Sequence, residues 1–331
     1  MTTITKHNSL TSDSCKSLNW ALMTTCALSA ASLPLAAEDA KTIDPTPPSR
    51  VHFLADVEFA NEYLTPRGLI VVNQGLTIQP LVLGFVNVYK GDSFINDVTF
   101  VPGIWADLST AKSGPRPGFA YSQNFDPATG TYSSPQKTYL NEVDPIFGVT
   151  TTFAKNYTLG VTYTAFISQN GSFPTSQHLE TKLSMNDTDY LKAFALHPTV
   201  IYWQELKNKA TVGPIAGFGP SSYFDLGIAP SYTFEKCNLK LEAPIRTLIP
   251  VDRRFYGRSG IGLFEVGGKA TLPMNFMPQG YGNWSCHVGV KYMRFLNQGL
   301  IDQNNSGFLA EPPGSNTKDT VQVYAGISSF F

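Results

Sequence analysis

The sequence has few cysteines and, after its first 37 residues, no long apolar run. Only 4 of its 331 residues are cysteines, which excludes a dense disulfide framework. Beyond residue 37 no stretch approaches the roughly 20 apolar residues that a membrane-spanning helix requires. Two cysteines, Cys237 and Cys286, lie in this part of the chain, and the sequence leaves open whether they pair.

Charge is also scarce and balanced. Charged residues make up 15% of the chain, with 24 Lys and Arg against 25 Asp and Glu. A near-neutral chain lacks the basic surface that nucleic acid requires, so we predict no nucleic-acid partner. The sequence also lacks a nucleophile elbow, a phosphate-binding loop and metal-ligand spacing, so we predict no catalytic residues, no enzyme activity and no cofactor.

The first 37 residues have the pattern of a cleaved secretory signal. Lys6 and Lys16 precede a short apolar stretch that ends in small residues at Ala36-Ala37, before the acidic Glu38. A basic start, a short apolar core and a small-residue cleavage site are typical of such signals. The alternative, a membrane anchor, is disfavoured because polar residues dilute an already short stretch. We predict a signal peptide at 1–37 and a proline-rich periplasmic linker at 38–50.

Apolar and polar residues then alternate in segment after segment to the end of the chain. Alternation with period two predicts half-buried β-strands. There are twelve such segments, and an even number is typical of bacterial single-chain barrels. Most of them are longer than the strands of ordinary soluble proteins. We predict strands at 51–63, 75–90, 96–109, 138–154, 157–169, 177–186, 190–206, 223–235, 238–251, 260–276, 282–296 and 319–331.

The lengths of the connections distinguish between β architectures. Tight turns are predicted after the even strands, and longer loops after the odd ones. Such alternation is expected of an up-and-down barrel in a membrane, with short periplasmic turns and long outer loops. The fold class predicted for residues 51–331 is therefore all-β, a transmembrane antiparallel barrel. The tight turns are 91–95, 155–156, 187–189, 236–237 and 277–281; the long loops are 64–74, 110–137, 170–176, 207–222, 252–259 and 297–318.

The last strand resembles the C-terminal targeting strand of bacterial outer-membrane barrels. It alternates to its end and stops on an aromatic residue, with a glycine five residues earlier. Soluble chains rarely end so abruptly, because frayed termini are normally polar. We predict an assembly signal made of Tyr324, Gly326, Ile327 and Phe331, read by periplasmic chaperones and the barrel-assembly machinery.

If the apolar face of each strand meets lipid, the opposite face lines a lumen with charges of both signs. A soluble barrel would reverse these faces, so alternation alone does not choose between them. Aromatic residues near both strand ends favour the membrane, because aromatic girdles form at its two interfaces. The predicted girdle residues are Tyr157, Trp284 and Tyr292; the predicted lumen-lining residues are Glu142, Asp144, Glu180, Lys182, Asp225, Lys240, Glu242, Arg246, Glu265, Lys269, His287 and Lys291.

Short motifs along the strands are similar to those of the TorF-type porins and related uncharacterised outer-membrane barrels. The resemblance starts at 53–68, where an aromatic residue and an Arg-Gly pair end the first strand. It continues through Pro102–Asp107, Glu142–Asp144, His197–Val200 and Phe224–Gly227. It implies a barrel in the bacterial outer membrane, a passive channel function and no catalytic residues. The chain departs from the family in its long final loop and in the cysteine placed in a turn.

Three functions are compatible with the sequence. The first is an outer-membrane barrel that passes small solutes or ions through a narrow lumen. The second is a closed structural or adhesive barrel that acts through its loops at 110–137 and 297–318. The third is a soluble periplasmic β-protein. We favour the first, with outer-membrane lipid and small solutes or ions as partners.

Overall fold

The computed structural model describes residues 50–113, 125–126, 131–132, 138–209, 219–278, 280–306 and 317–331. The predicted signal peptide and all but the last residue of the predicted linker lie outside these ranges, so both remain predictions. Among the described residues, no helix combines the length and apolar character needed to cross a membrane.

The described chain is almost entirely β-structure, with two short helices. The helices are α1 (Thr188–Leu191) and α2 (Gln298–Asn305). The strands are β1 Val51–Ala60, β2 Tyr63–Leu64, β3 Ile70–Val72, β4 Thr77–Lys90, β5 Ile95–Ser113, β6 Phe125–Asp126, β7 Thr131–Tyr132, β8 Thr138–Phe153, β9 Tyr157–Ser168, β10 Ser176–Met185, β11 Thr199–Lys207, β12 Ser222–Ile228, β13 Ser231–Phe234, β14 Leu239–Glu242, β15 Ile245–Pro250, β16 Leu263–Pro273, β17 Asn283–Phe295 and β18 Asp319–Phe330.

Fourteen of these strands form one closed antiparallel barrel, and β2–β3 and β6–β7 are separate hairpins. The pairs β12/β13 and β14/β15 are each a single wall strand interrupted at a proline, Pro230 and Pro244, because proline cannot donate to the strand ladder. Counted in this way, the ring has twelve strands, and it closes where β1 pairs with β18. At that seam the backbone N–H of Phe331 donates to the carbonyl of Phe53 at 2.9 Å. The predicted twelve-strand up-and-down barrel is confirmed.

Away from the long-loop end, the wall strands turn most of their apolar residues outward. On β9, Val161 is exposed while its neighbour Thr162 faces the interior, and on β1 the exposed Val57 precedes the buried Glu58. A soluble barrel would bury the valines and expose the acids. The outer face of this barrel is therefore suited to lipid, and its interior holds the charge.

Aromatic side chains ring the barrel at the end where the connections 91–94, 154–156 and 235–238 are short, here called the short-turn end. Exposed Phe94 and Phe276 lie there, and the indole N–H of Trp284 donates to the carbonyl of Tyr281 at 2.7 Å. Tyr157 stacks on Phe153 beside the turn at 154–156. Tyr292 lies toward the opposite, long-loop end, where its hydroxyl contacts Asp319 at 3.5 Å. Aromatics near both rims are typical of barrels that cross a membrane.

The predicted tight turn at 187–189 and the predicted strand start at residue 190 are wrong. Residues 186–198 form a longer connection that contains α1 and a 3₁₀ turn at Lys192–Phe194, and β11 begins only at Thr199. The strict alternation of short and long connections is therefore broken here, because this connection is longer than the one at 169–175.

The Asp187 carboxylate is what organises this connection. It accepts the backbone N–H groups of Leu196 at 2.9 Å and of His197 at 2.9 Å. These bonds replace the ladder contacts that a continuing strand would have supplied. Burial acts to raise the pKa of Asp187, but the two N–H groups outweigh it and hold the pKa below its usual value.

The glycine of the predicted assembly signal has a packing role. A Cβ atom on Gly326 would lie 2.6 Å from the His287 ring, so only glycine lets that ring rest on β18. Tyr324 is buried inside the barrel, whereas Ile327 and Phe331 are exposed. Recognition of this strand by the assembly machinery stays a prediction.

Charge placed on the outer face should destabilise the barrel far more than charge placed inside. We expect Val161→Lys to cost about 2–4 kcal/mol near mid-membrane and Thr162→Lys to cost much less, because only the first ammonium must enter lipid. Reversible urea unfolding in lipid vesicles measures both. Equal costs at the two positions would contradict the assignment of faces.

Loss of the Asp187 carboxylate should loosen the connection at 186–198. Asp187→Ala removes the acceptor of two backbone N–H groups, and a lost bond to a charged acceptor is worth about 1.5–3 kcal/mol. Hydrogen exchange at Leu196 and His197 should accelerate, with Asp189→Ala as the exposed control. In the wild type the same protection should be lost only in acid. The loss begins as the pH falls below the usual aspartate pKa of about 3.9 and is complete below the lower pKa of folded Asp187. Unchanged exchange in the variant would contradict this role.

Candidate functional site in the lumen

The twelve predicted lumen residues all lie on the interior face of the wall. Their surroundings differ along the barrel axis. Lys240 and Glu242, near the short-turn end, keep partial contact with solvent, whereas Glu142, Asp144 and Glu265, nearer the long-loop end, are buried. The buried ones are Glu142, Asp144, Asp225, Glu265, His287 and Lys291; the half-buried ones are Glu180, Lys182, Lys240, Glu242, Arg246 and Lys269. Whether they line a conducting path stays a prediction.

The first long connection fills the upper lumen. It runs from residue 61 to 76 and contains the hairpin β2–β3. Residues 62–72, here called the plug, are all buried except Pro66. The prediction of a long connection at 64–74 is therefore correct. The prediction that it extends outward is wrong, because this segment is packed inside the wall.

Apolar packing holds the plug at the long-loop end. Leu64, Leu69 and Ile70 from the plug pack in one cluster with wall residues, with the loop between β15 and β16, and with α2. The other members of that cluster are Trp203, Tyr223, Leu248, Phe255, Tyr256, Leu263, Met293, Phe295, Leu300 and Ile301, and all of them are buried. Burial of this much apolar surface explains why the segment leaves the outer water.

Hydrogen bonds to the plug backbone fix its register. The Asn304 side chain of α2 accepts from the Ile70 N–H at 3.1 Å and donates to the Gly68 carbonyl at 2.8 Å. The Tyr256 hydroxyl donates to the Arg67 carbonyl at 2.6 Å. Buried backbone groups need such partners, so these side chains specify one position for the plug.

Gly68 makes the sharp plug tip possible. Its φ is +83°, and a Cβ atom there would lie 2.8 Å from Leu263 and 3.0 Å from Leu300. A left-handed backbone in such close contact favours glycine on both counts. The Arg-Gly pair noted in the sequence therefore marks the tip of an inserted loop.

Arg67 carries a positive charge into the centre of the barrel. Its guanidinium lies 4.6 Å from the centroid of the Phe166 ring and 5.1 Å from that of Trp203. Arginine on aromatic faces gains a cation–π attraction that grows when water is excluded. Arg67 was predicted to lie in an outer loop and was therefore not among the predicted lumen residues.

An ion-pair network lies directly below the tip. Arg246 on β15 pairs with Asp225 on β12 and with Glu265 on β16, the latter at 2.6 Å. The same guanidinium donates to the carbonyl of Pro66 at 2.8 Å. The three charged side chains are largely shielded from water, so each needs the others as ion-pair partners. Through Pro66 the network also binds the plug tip to the wall.

The opposite wall is acidic. Tyr63 of the plug donates its hydroxyl to Glu142 on β8 at 2.9 Å. On β5, Asp107 accepts from the side-chain amides of Gln79 at 2.8 Å and of Asn141 at 2.6 Å. These carboxylates are thus held by neutral donors on the wall and by the plug.

The arrangement divides the interior into two parts. The upper part is packed with apolar side chains, and the lower part, toward the short-turn end, is lined by partly solvated charges. Lys240 and Glu242 lie in this lower part, with their Nζ and Oε1 atoms 3.2 Å apart. Chemically, the charged side chains below the plug can bind water and small ions, and the plug fills the interior above them.

No protein-family model matches the sequence, and no curated protein matches it either. The TorF-type resemblance therefore stays a prediction. Among solved structures, the chain is similar to the NanC porin, with 9% identity, 84% of this chain and 98% of that chain covered, and a TM-score of 0.41. It is also similar to outer membrane phospholipase A from Escherichia coli, with 10% identity, coverage of 85% and 93%, and a TM-score of 0.37.

A third similar structure is the beta domain of the Bordetella autotransporter BrkA, with 8% identity, coverage of 85% and 99%, and a TM-score of 0.39. The three belong to functionally different outer-membrane proteins. The barrel described above rests on its own strand pairing.

Removing the amide of Asn304 should loosen the plug without opening the wall. Asn304→Ala leaves the Gly68 carbonyl and the Ile70 N–H without their partner, at a cost of about 1–3 kcal/mol. Hydrogen exchange in residues 62–72 should accelerate, while exchange in the wall strands stays the same. Gln298→Ala is the matched control, because its exposed amide only reaches Asp302. Unaltered exchange in the plug would contradict the anchoring role of Asn304.

Proposed function

We propose that the protein is a narrow channel of the bacterial outer membrane for small solutes or ions, closed at rest by its own first loop. The short-turn end faces the periplasm and the long-loop end faces outward, as in other barrels with this asymmetry. The observation that carries the proposal is the two-part lumen, in which the charged lower part lies under a plug formed by one chain segment.

The outward apolar face supports the membrane location. Exposed valines and phenylalanines such as Phe53, Val161 and Val323 would be costly in water over so many strands. This disfavours a soluble periplasmic protein. Outer-membrane lipid is therefore the proposed surrounding partner, reached through the secretory pathway with the assembly machinery.

The nature of the plug supports a gate. It is one continuous segment between β1 and β4, so it can leave the lumen without breaking a wall pairing. Its backbone is anchored by only a few side chains, which are neutral apart from Arg246. Loops and lids that are held by few contacts open on microsecond to second timescales. A barrel wall cannot open in this way.

The alternative is a closed structural or adhesive barrel that acts through its outer loops. It is favoured by the dense packing around the plug, which includes aromatic residues from three sides. Most of the loop at 110–137 and part of the loop at 297–318 lie outside the described residues. Conductance separates this alternative from the channel.

The test is single-channel conductance of the folded chain, residues 38–331, beside a variant in which a short Gly-Ser linker replaces residues 63–72. We expect rare, brief openings in the wild type and stable open steps in the variant, because the cut removes the obstruction and keeps the wall. Heat-modifiable gel migration verifies that both barrels are folded. A folded, plug-free barrel that stays silent would contradict the channel and favour the structural alternative.

A second variant identifies the charges along the path. Neutralising Lys240, Arg246 and Lys269 in the plug-free barrel should shift ion selectivity toward cations, because positive charge leaves the lumen. Arg253→Gln, at an exposed outer position, is the control and should shift it little. Identical selectivity in all the barrels would show that these side chains do not line the path.

A further inference from the structure

A histidine and two carboxylates converge on the lumen wall away from the plug. Asp56 and Glu58 lie on the first strand, and His287 lies on the next-to-last strand, β17. Each offers one ligand atom, and these atoms all lie within 4.8 Å of one another. Three adjacent strands, β1, β18 and β17, bring them together at the seam where the barrel closes.

The cluster is held in place from several directions. His287 Nε2 lies 3.1 Å from Glu58 Oε2, and His287 Nδ1 lies 3.9 Å from Asp56 Oδ1. The Ser328 hydroxyl donates to Asp56 and lies 3.5 Å from His287 Nδ1. Below the ring, Gly326 supplies the space that the imidazole occupies. A ligand set supported by such outer partners is typical of metal sites.

One atom of the cluster is not accounted for by protein contacts. Glu58 is 5% exposed, and its Oε1 atom is buried with no hydrogen-bond partner among the described residues. A buried carboxylate oxygen without a partner is costly, and native structures normally provide one. A cation held by the cluster would satisfy it.

We propose that Asp56, Glu58 and His287 form a binding site for one divalent transition-metal ion, of which Zn²⁺ is the representative. Imidazole nitrogen and carboxylate oxygen are ligands that zinc prefers, at about 2.0–2.2 Å. Tetrahedral ligands then lie about 3.4 Å apart, so ligand atoms that are up to 4.8 Å apart here must draw closer by up to about 1.4 Å on binding the ion. A water molecule in the half-solvated lumen supplies the fourth ligand. Such an ion would tie the first strand to the end of the chain.

The alternative is an ion-pair cluster without metal, in which a charged His287 sits between the two carboxylates. Lys269 on β16 and Lys291 on β17 add positive charge near Asp56 and Glu58 respectively. The two models are distinguished by metal binding. The metal site predicts stoichiometric binding that is lost when any of the three residues is substituted, and the ion-pair cluster predicts no such binding.

The test uses the untagged chain, residues 38–331, folded in detergent and titrated with Zn²⁺ alone by calorimetry and with Co²⁺ alone by visible absorption. We expect one ion per chain in the wild type and affinity at least tenfold lower in Glu58→Gln and His287→Gln. His178→Gln is the matched control, since His178 is another buried lumenal histidine, bonded to Ser176 instead. Heat-modifiable migration verifies folding of each variant.

Several outcomes would overturn the site. Absence of stoichiometric binding in the folded wild type would do so and would favour the ion-pair cluster. Equal affinity in the wild type, Glu58→Gln and His287→Gln would place any bound ion elsewhere. If either variant fails to fold, Asp56→Asn replaces it, and retention of the Co²⁺ absorption in that variant would overturn the site equally.

Discussion

Closure of the strand ring is the constraint on which the rest of this structure depends. Lipid offers no partner to a backbone N–H or carbonyl, so a sheet can cross a membrane only if it has no edge. In this chain β1 and β18 meet and remove the last edge. Once the ring is closed and apolar outside, every charged side chain on the wall has to find its partner inside.

The interior solves this problem in three ways. Arg246 joins Asp225 and Glu265 in a network, the acids of β5 and β8 are held by amides and a tyrosine, and the first loop folds in with its own arginine. The plug is therefore more than an obstruction, because it supplies part of the charge balance. This connects the stability of the wall to the position of the plug.

The strands could be predicted from sequence because a period of two persists wherever one face meets lipid and the other meets charge. The plug was missed because its position depends on contacts far away in the chain, such as those with Asn304 and Tyr256. A signal was nevertheless present: the run Leu69-Ile70-Val71-Val72 is too apolar for a solvated loop. The connection at 186–198 was missed because its mostly apolar run at 190–196 leads directly into β11. The hydrogen bonds from Leu196 and His197 to Asp187, which shape this connection, cannot be inferred from the pattern of residues. For the lumen residues, the alternation in the sequence was enough to predict which face of the strand they occupy. It could not predict that His287 lies beside Asp56 and Glu58, because this contact forms only when β1 pairs with β18.

The central claim is that the plug seals the long-loop end and leaves the lower lumen open at the other end. The first measurement is thiol labelling of residues 38–331 from each side of a vesicle. Pro66→Cys is the reporter at the exposed plug tip, and Cys237→Ser and Cys286→Ser remove the two native thiols of this part of the chain. We expect a membrane-impermeant maleimide to label the reporter from the short-turn side and not from the long-loop side. Labelling from the long-loop side alone, or equally from both, would contradict it.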